Sequence, residues 1–232
     1  MHRFAFLRLL TLAAADRTCL AADESCNQMA AKQVNVALLG VGGVGRALVD
    51  ALVGARAHHR DVYGLQFNLK VLADSSGFLS GDLSDAQLRK ASDAKAKGKP
   101  LSTLTGATGG DAGQAIVALG KNAIIVDVTA SGATTPLLIE ALSNGQKIVA
   151  ANKKPFSSEQ SPYDALVGYP VRHNSVRHES TVGAGLPAIA ALNRLSMAND
   201  KVRKIAGTFS GTLGFVMSGL EAGRPFSEVV LE

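Results

Sequence analysis

The sequence predicts an α/β fold, in which a doubly wound parallel sheet is followed by part of a second, α+β domain. Short apolar runs typical of strands alternate with helical segments between residues 34 and 151. This alternation is typical of a parallel sheet whose strands are joined by helical crossovers. Past Pro155 the alternation stops. We therefore divide the chain into a leading segment at 1–32, one domain at 33–154 and an incomplete domain at 155–232.

The first predicted element is a strand at residues 34–39, an apolar run with β-branched residues that is too short for a helix of its own. Glycines spaced G-x-G-x-x-G follow it at Gly40, Gly42 and Gly45, and a helix with an apolar face is predicted over residues 43–59. In a dinucleotide site the first glycine of this pattern allows a tight turn. The second lets a pyrophosphate approach the backbone, and the third lets helix and strand pack closely.

This turn predicts a nucleotide-binding site at the start of the first helix. Free N–H groups at a helix N-terminus bind phosphates, and the helix dipole favours anions there. Gly43 and Val44 therefore join the three glycines of the pattern as predicted cofactor contacts. The alternative is a glycine-rich turn with a structural role only.

The second predicted strand covers residues 67–73 and ends at Asp74. In many dinucleotide folds an acidic residue at this point binds the adenosine ribose, about 20 residues past the glycines. Asp74 lies 29 residues after Gly45, so the crossover is longer than usual. Asp74 favours NAD, whereas Ser75 and Ser76 leave room for the 2′-phosphate of NADP, and both cofactors stay open.

The next segments continue the alternation. Ser84 and Gln87 form a predicted capping box before a short helix, and a further helix is predicted over residues 111–119. A third buried strand at residues 123–128 leads into Thr129 and Ser131. Because the carboxyl ends of parallel strands line the ligand crevice, these two residues are candidate cofactor contacts, with helix capping as the alternative.

A helix is predicted over residues 134–144, with a proline in its first turn, and a strand over 147–150. The strand leads into Asn152 and Lys153. With suitable geometry, an amine at this edge polarises a carbonyl or exchanges a proton with it. The alternative for Lys153 is a lysine in a surface turn.

The second domain is predicted from a looser pattern. Its elements are a short helix capped at residues 161–164, a strand at 176–182, a helix at 186–197, a strand at 201–210 and a helix at 212–221. Glu179 precedes a glycine-rich turn, where its carboxylate and nearby carbonyls would suit a hard cation. The residues alone favour the alternative, a helix-entry loop with a salt-bridged glutamate.

Composition narrows the classes of function. The net charge is +5 and no basic run carries interleaved aromatic residues, so we expect no nucleic-acid partner. No apolar stretch reaches the roughly 18 residues of a membrane span. Residues 1–32 combine arginines with an apolar run and suit either an organelle-targeting peptide or a disordered N-terminus. Both cysteines, Cys19 and Cys26, lie there, so the body of the protein has no disulfide framework.

Four runs taken together resemble the homoserine dehydrogenases, most closely the monofunctional enzymes of plants and fungi. They are residues 40–45, 151–155, 178–187 and 207–214, and they occur in the same order in that family. The resemblance covers residues 34–232. It implies a Rossmann domain followed by a substrate and dimerisation domain. It also implies reversible, NAD(P)H-dependent reduction of aspartate 4-semialdehyde to L-homoserine, in a cytoplasmic or plastid homodimer.

The resemblance also implies roles for individual residues. Lys153 matches the catalytic lysine that helps protonate the developing alkoxide, with Asn152 and Thr129 against the cofactor. Gly211 and Thr212 would lie near the substrate. A sodium site would consist of the Glu179 carboxylate with the carbonyls of three residues, which are Val182, Ala184 and Leu186.

The C-terminus departs from the family pattern. In the family, a further segment supplies a glutamate, aspartates and a second lysine that orient the amino acid substrate, and this chain stops at Glu232 before it. Without those residues a hydride-transfer site is expected to lose most of its proximity advantage. We therefore expect a C-terminally truncated member of the family with little activity. The alternatives are a non-catalytic dinucleotide-binding fragment and a dehydrogenase acting on another semialdehyde.

Overall fold

The computed structural model describes residues 30–168 and 175–232. The leading segment at 1–32, and with it Cys19 and Cys26, falls almost entirely outside the described residues. Within them, seven strands form one sheet in the order β4-β3-β2-β1-β5-β6-β7. The strands are β1 (Lys32–Leu39), β2 (Leu65–Asp74), β3 (Gly77–Ser80), β4 (Thr108–Gly109), β5 (Ile124–Asp127), β6 (Lys147–Ala150) and β7 (Val176–Arg177).

The sheet is mostly parallel, which confirms the predicted α/β class. β1 pairs in parallel with β2 on one side and with β5 on the other, and β6 and β7 extend the parallel part. β3 and β4 are antiparallel additions beyond β2. The chain winds away from β1 in both directions, so the strand order reverses between β1 and β5. Open α/β sheets bind ligands outside the carboxyl ends of the strands at this point.

Helices connect the strands. In the described part of the chain they are α1 (Gly43–Gly54), α2 (Arg56–Tyr63), α3 (Asp85–Ala96), α4 (Gly113–Val117), α5 (Thr135–Ser143), α6 (Lys154–Ser157), α7 (Gln160–Val167), α8 (Ala188–Met197), α9 (Gly211–Glu221) and α10 (Phe226–Leu231). None of them is long and apolar enough to cross a membrane.

Two apolar clusters form the core, one on each face of the sheet. Alternate residues of a strand point to opposite faces. Val36 and Leu38 of β1 accordingly join the cluster that contains Leu48 of α1, whereas Ala37 joins the cluster that contains Leu138 of α5. The sheet is thus covered on both faces, which is the arrangement expected of a doubly wound fold.

Several predicted elements are confirmed with shifted bounds. The strand at 147–150 and the capping box are confirmed, the latter with the Gln87 N–H donating to Ser84 Oγ. The first helix is interrupted at Ala55, whose ψ of 9° leaves the helical range. The second strand is longer than predicted, and the helix predicted at 111–119 is reduced to α4.

The strand predicted at 201–210 is wrong. These residues form no helix or strand, and β7 keeps only the first two residues of the strand predicted at 176–182. A strand exists through the ladder that it shares with a neighbour, and the described residues offer 201–210 no such neighbour. The strand-like pattern there does not identify a pairing partner, and the residues are almost all exposed.

The C-terminal helices expose much apolar surface. α8 and α9 have no buried residue, and Val229 is the one buried residue of α10. Leu213 is 64% exposed, Met217 63% and Phe226 61%. Val229 packs on Gly219, where an added Cβ would lie 2.7 Å from one of the valine methyl carbons. The division of the chain at residue 155 stays a prediction.

Candidate dinucleotide site and catalytic edge

The carboxyl ends of β1, β5 and β6 lie side by side at one edge of the sheet. The Val128 N–H donates to Leu39 O at 2.9 Å, and the Ala151 N–H donates to Asp127 O at 2.8 Å. These bonds bring together the glycine turn, the loop that begins at Thr129 and the segment that begins at Asn152. The three loops predicted to line a crevice are therefore neighbours.

Gly40 and Gly45 make the glycine turn possible. Gly40 has a φ of +95°, which favours glycine, and its N–H donates to Ala73 O at 2.8 Å. A Cβ at Gly40 would lie 3.0 Å from the Thr129 backbone nitrogen, and one at Gly45 would lie 2.0 Å from Gly40 O. The first and third glycines of the pattern are thus required by the close packing of β1, α1 and the end of β5.

Gly42, Gly43 and Val44 have open surroundings. A Cβ at Gly42 or Gly43 would meet no atom within 4 Å, and Val44 is exposed. Helix α1 begins here without a side-chain cap, so within the described part of the chain its N-cap residue leaves the first N–H groups without a side-chain acceptor. A helix N-terminus with free N–H groups and room beside its backbone can bind the pyrophosphate of a dinucleotide. The turn therefore fits the group that the sequence predicts there.

Asp74 is held by a dense set of hydrogen bonds. Its Oδ1 accepts from the Ser76 N–H at 2.8 Å and from Ser76 Oγ at 2.5 Å. Its Oδ2 accepts from Lys95 Nζ at 2.6 Å and from the Leu101 N–H at 3.1 Å. An ionised carboxylate has about four acceptor positions, and the protein fills all four.

These contacts lower the pKa of Asp74 to about 2. Burial alone would raise this pKa, but the Lys95 ammonium, the Ser76 hydroxyl and the two backbone N–H groups favour the ionised form more strongly. Asp74 thereby ties the end of β2 to α3 and to the turn at Leu101. Its ribose contact stays a prediction, and a ribose hydroxyl would have to displace a protein donor to reach it.

Asn152 connects the loops that follow β5 and β6. It is buried, and its Nδ2 lies 2.7 Å from Ser131 O, 3.0 Å from Asp127 Oδ2 and 3.1 Å from Thr129 Oγ1. The family resemblance places Asn152 at the cofactor, whereas no motif in the sequence pointed to Asp127. The available signal was an acidic residue as the last residue of an otherwise apolar strand.

Thr129 and Ser131 lie in this network. Thr129 is half-buried, and its Oγ1 accepts from the Ser131 N–H at 3.3 Å. Ser131 is exposed, and its Oγ accepts from the Ala133 N–H at 3.1 Å at the start of a 3₁₀ turn, Gly132–Thr134. Ser131 thus serves as a cap, the alternative named for it, while the cofactor contacts of both residues stay predictions.

Lys153 follows Asn152 and precedes α6. Its side chain is exposed and makes no salt bridge within the described residues, and its carbonyl accepts from the Phe156 N–H at 3.0 Å. The Lys154 N–H donates to Asn152 Oδ1 at 3.2 Å. The backbone on both sides of Lys153 is therefore fixed, while its amine is free to meet a ligand at the edge of the sheet.

Glu179 caps helix α8. Its two carboxylate oxygens accept from the Ile189 N–H at 2.9 Å and from the Ala190 N–H at 2.8 Å. This is the helix-entry role named as the alternative, with backbone N–H groups in place of a salt bridge. Each oxygen keeps a free lone pair for a cation.

The three carbonyls predicted to join Glu179 belong to the turn before α8. Ala184 in this turn has a φ of +54°, and Leu186 O accepts from the Ala188 N–H at 2.9 Å. Among the described residues no cluster of three or more His, Cys, Asp or Glu side chains suits a metal ion. The sodium ligands Glu179, Val182, Ala184 and Leu186 stay a prediction.

Gly211 and Thr212 open helix α9, where Ser210 Oγ accepts from the Leu213 N–H at 3.1 Å. Both residues are exposed, and within the described residues no hydrogen bond joins them to the edge formed by β1, β5 and β6. Their contact with a substrate stays a prediction.

The fold and the glycine turn define a protein with a Rossmann-type NAD(P)-binding domain. A family profile described as "Homoserine dehydrogenase, NAD binding domain" matches residues 40–175, and one described as "Homoserine dehydrogenase" matches residues 187–232. The chain belongs to the homoserine dehydrogenase family of oxidoreductases.

Curated relatives carry the same description. Homoserine dehydrogenase from Saccharomyces cerevisiae is 34% identical over 214 residues, which is 87% of this chain and 55% of the yeast protein. The Pyrococcus horikoshii enzyme is 27% identical over 86% of this chain and 60% of its own length. The chain thus spans a little over half the length of these relatives.

Solved structures share the fold. Homoserine dehydrogenase from Thermoplasma acidophilum superposes with a TM-score of 0.64 at 24% identity, covering 86% of this chain and 59% of that one. A hyperthermophilic archaeal homoserine dehydrogenase in complex with NADPH gives a TM-score of 0.62 at 24% identity, covering 86% and 60%.

Proposed function

We propose that this chain carries the cofactor site and the catalytic lysine for reduction of L-aspartate 4-semialdehyde to L-homoserine, a step in threonine, methionine and isoleucine biosynthesis. The observation that supports this most is the segment Asn152–Lys153, which lies at the carboxyl edge of the sheet and contacts the loop at Thr129 that packs on the glycine turn. Family membership supports the reaction class.

In the proposed reaction, a bound nicotinamide dinucleotide supplies the hydride. The first turn of α1 binds the pyrophosphate, and Gly40 and Gly45 hold that turn against β5. The Lys153 ammonium donates a proton to the oxygen of the semialdehyde as the hydride adds to its carbon. A positioned general acid accelerates such a step by about 10² to 10⁴-fold.

The remaining site residues are proposed on the family resemblance. Gly211 and Thr212 contact the small-molecule substrate, and Glu179 with three nearby carbonyls would hold a sodium ion. We also propose a homodimer, since α8 and α9 have no buried residue and expose several large apolar side chains, which is typical of an interaction surface. The molar mass from light scattering tests the dimer.

For the cofactor, we propose NADPH over NADH. All four acceptor positions of Asp74 are taken by protein donors, so a ribose 2′-hydroxyl finds no free acceptor on it. The Lys95 ammonium gives one N–H to Asp74 and has two more, which suit a 2′-phosphate. Exposed Ser75 directly follows Asp74, in the turn between β2 and β3.

We expect the chain to bind NADPH about tenfold more tightly than NADH, because one additional charge-assisted hydrogen bond contributes about 1.5 kcal/mol. Fluorescence titration with each reduced cofactor measures the two dissociation constants. In Lys95→Met the preference should fall towards unity, and in Lys90→Met, an exposed lysine of the same helix, it should persist. Equal affinities in the unaltered chain would contradict the proposal.

Replacing Lys153 with methionine tests the catalytic role. We expect NADPH oxidation with aspartate 4-semialdehyde to fall by about 100-fold or more, because the general acid is lost while the fold is kept. Absorbance at the nicotinamide band gives kcat, and fluorescence titration gives the dissociation constant of NADPH, which should change little.

Lys154→Met is the matched control, because Lys154 is the adjacent exposed lysine and contacts Asn152 only through its backbone N–H. It should keep its rate. An unchanged rate in Lys153→Met would contradict the catalytic role of Lys153. Binding of NADPH with no turnover at all by the unaltered chain would favour the alternative of a non-catalytic dinucleotide-binding protein.

A further inference from the structure

Asp127 is a buried carboxylate to which the sequence analysis gave no role. It is the last residue of β5 and is 0% exposed. Its Oδ1 accepts from the Thr129 N–H at 2.9 Å, and its Oδ2 accepts from Thr134 Oγ1 at 2.7 Å and from Asn152 Nδ2 at 3.0 Å. A buried carboxylate is costly to desolvate unless hydrogen bonds compensate it, and here three donors from two loops do so.

Further hydrogen bonds, made by the Asp127 backbone carbonyl and by the Asn152 side chain, connect Asp127 to the backbone around Lys153. The Asp127 carbonyl accepts from the Ala151 N–H at 2.8 Å and from the Asn152 N–H at 3.2 Å. The Asn152 side chain in turn accepts from the Lys154 N–H at 3.2 Å. The residues before and after Lys153 are therefore both held by a network that starts at Asp127.

The same carboxylate shapes the loop that faces the cofactor. Its bonds to Thr129 and Thr134 close residues 129–134 into a turn, and Asn152 Nδ2 binds the Ser131 carbonyl of that turn at 2.7 Å. Asp127 thus lies between the loop predicted to contact the cofactor and the segment that carries the lysine.

We propose that Asp127 is a positioning residue that fixes the Lys153 backbone against the cofactor loop at residues 129–134. This inference rests on the proposed function, since it needs a dinucleotide at this edge. Asp127 acts only through its hydrogen bonds to Asn152, Thr129 and Thr134, because its side chain is fully buried and cannot touch a ligand.

A carboxylate is needed because donors approach both of its oxygens. An asparagine at position 127 has one acceptor oxygen and one donor NH₂ group. In one orientation the asparagine oxygen accepts from the Thr129 N–H, and its NH₂ group then faces the NH₂ group of Asn152, so two donors meet. In the reverse orientation the NH₂ group faces the Thr129 N–H, and again two donors meet. The isosteric substitution Asp127→Asn therefore breaks one side of the network without changing its volume.

The test measures the position of the Lys153 amine relative to bound cofactor. The chain is reductively methylated with and without saturating NADPH, and mass spectrometry follows Lys153, with Lys154 as an internal reference. In the unaltered chain we expect NADPH to slow methylation of Lys153 several-fold and to leave Lys154 unaffected. In Asp127→Asn this shielding should be lost even at NADPH concentrations that saturate the variant, while the dissociation constant rises about tenfold.

Two further variants make the outcome decisive. Asp93→Asn, at an exposed position of α3, is the matched control and should keep full shielding. If Asp127→Asn does not fold, Thr134→Val is the substitute, because it removes one of the donors to Asp127 Oδ2. NADPH should then shield Lys153 less than in the unaltered chain, but not lose its effect completely. Unchanged shielding in the folded variant would overturn the role of Asp127. Absence of NADPH binding or of shielding in the unaltered chain would instead contradict the proposed function.

Discussion

Replacing Gly45 with alanine is expected to destabilise the protein by about 3 kcal/mol, because overpacking a rigid contact costs 1–3 kcal/mol and sometimes more. The added Cβ would lie 2.0 Å from Gly40 O and 3.0 Å from Gly40 C, both of them backbone atoms. No side-chain rotation relieves such a clash, so β1 and α1 must separate. Urea unfolding followed by circular dichroism measures the loss in free energy of unfolding.

Gly54→Ala and Gly43→Ala are the matched controls in the same helix. A Cβ at either position would meet no atom within 4 Å. Alanine is favoured over glycine in helices, so neither variant should lose stability. Gly43→Ala should still weaken NADPH binding, since its methyl group occupies the approach to the first turn of α1, and Gly54→Ala should not. If Gly45→Ala unfolded at the same urea concentration as Gly54→Ala, the packing role of Gly45 would be wrong.

The glycine turn could be predicted from sequence because its constraints are local. Within a dozen residues the chain forms a buried strand, then a glycine with positive φ, and then the first turn of a helix. The spacing of Gly40 and Gly45 encodes the contact between them. The same holds for the capping box of α3, whose two partners are three residues apart.

Contacts between distant segments could not be predicted in the same way. The four donors to Asp74 include Lys95 and the Leu101 N–H, which lie 21 and 27 residues further along the chain. Sequence pattern places Asp74 at the end of a strand, but the fold decides whether its carboxylate faces a ligand or the protein. Asp127 was missed for a similar reason, since its partner Asn152 is 25 residues away.

The second domain was the least predictable part. Residues 201–210 have a strand-like apolar pattern yet make no ladder, and their side chains are mostly exposed. Periodicity measures how well a segment would fit a sheet, whereas pairing depends on which other segments are present. The apolar side chains of α8 and α9 are exposed for the same reason, since their burial depends on which other segments pack against them.

His178 should make the stability of the protein depend on pH. Its ring stacks on Phe156 with centroids 4.7 Å apart and planes 10° from parallel. In the described part of the chain its buried Nδ1 has no hydrogen-bond partner. Burial, with a smaller contribution from the charge of Arg177, lowers the pKa of His178 from 6.5 to about 4.

The direction of the pH effect follows from this shift. Above pH 6.5 the imidazole is neutral in both the folded and the unfolded chain, so His178 contributes no pH dependence. Between pH 6.5 and 4 the unfolded chain binds a proton that the folded chain does not, so stability falls as the pH is lowered. Below pH 4 the loss is complete, at about 3 kcal/mol for a shift of this size.

Replacing His178 with phenylalanine should remove this loss. Phenylalanine keeps a ring to stack on Phe156 and has no site for a proton. Lowering the pH therefore no longer stabilises the unfolded chain through proton binding at this position. Urea unfolding between pH 7.5 and 4 should show the free energy of unfolding of the unaltered chain falling about 3 kcal/mol further than that of His178→Phe. Burial also lowers the pKa of His59, which leaves a residual slope in both proteins.

The exposed His58 provides the control, because replacing it leaves the buried ring of His178 and its stack on Phe156 unchanged. His58→Gln should therefore keep most of the slope of the unaltered protein. If the free energy of unfolding fell equally with pH in His178→Phe and in the unaltered chain, the folded protein would have to accept the proton at His178. The ring would then have to leave its stack on Phe156, and the helix-entry loop that begins at the adjacent Glu179 would open as the pH falls.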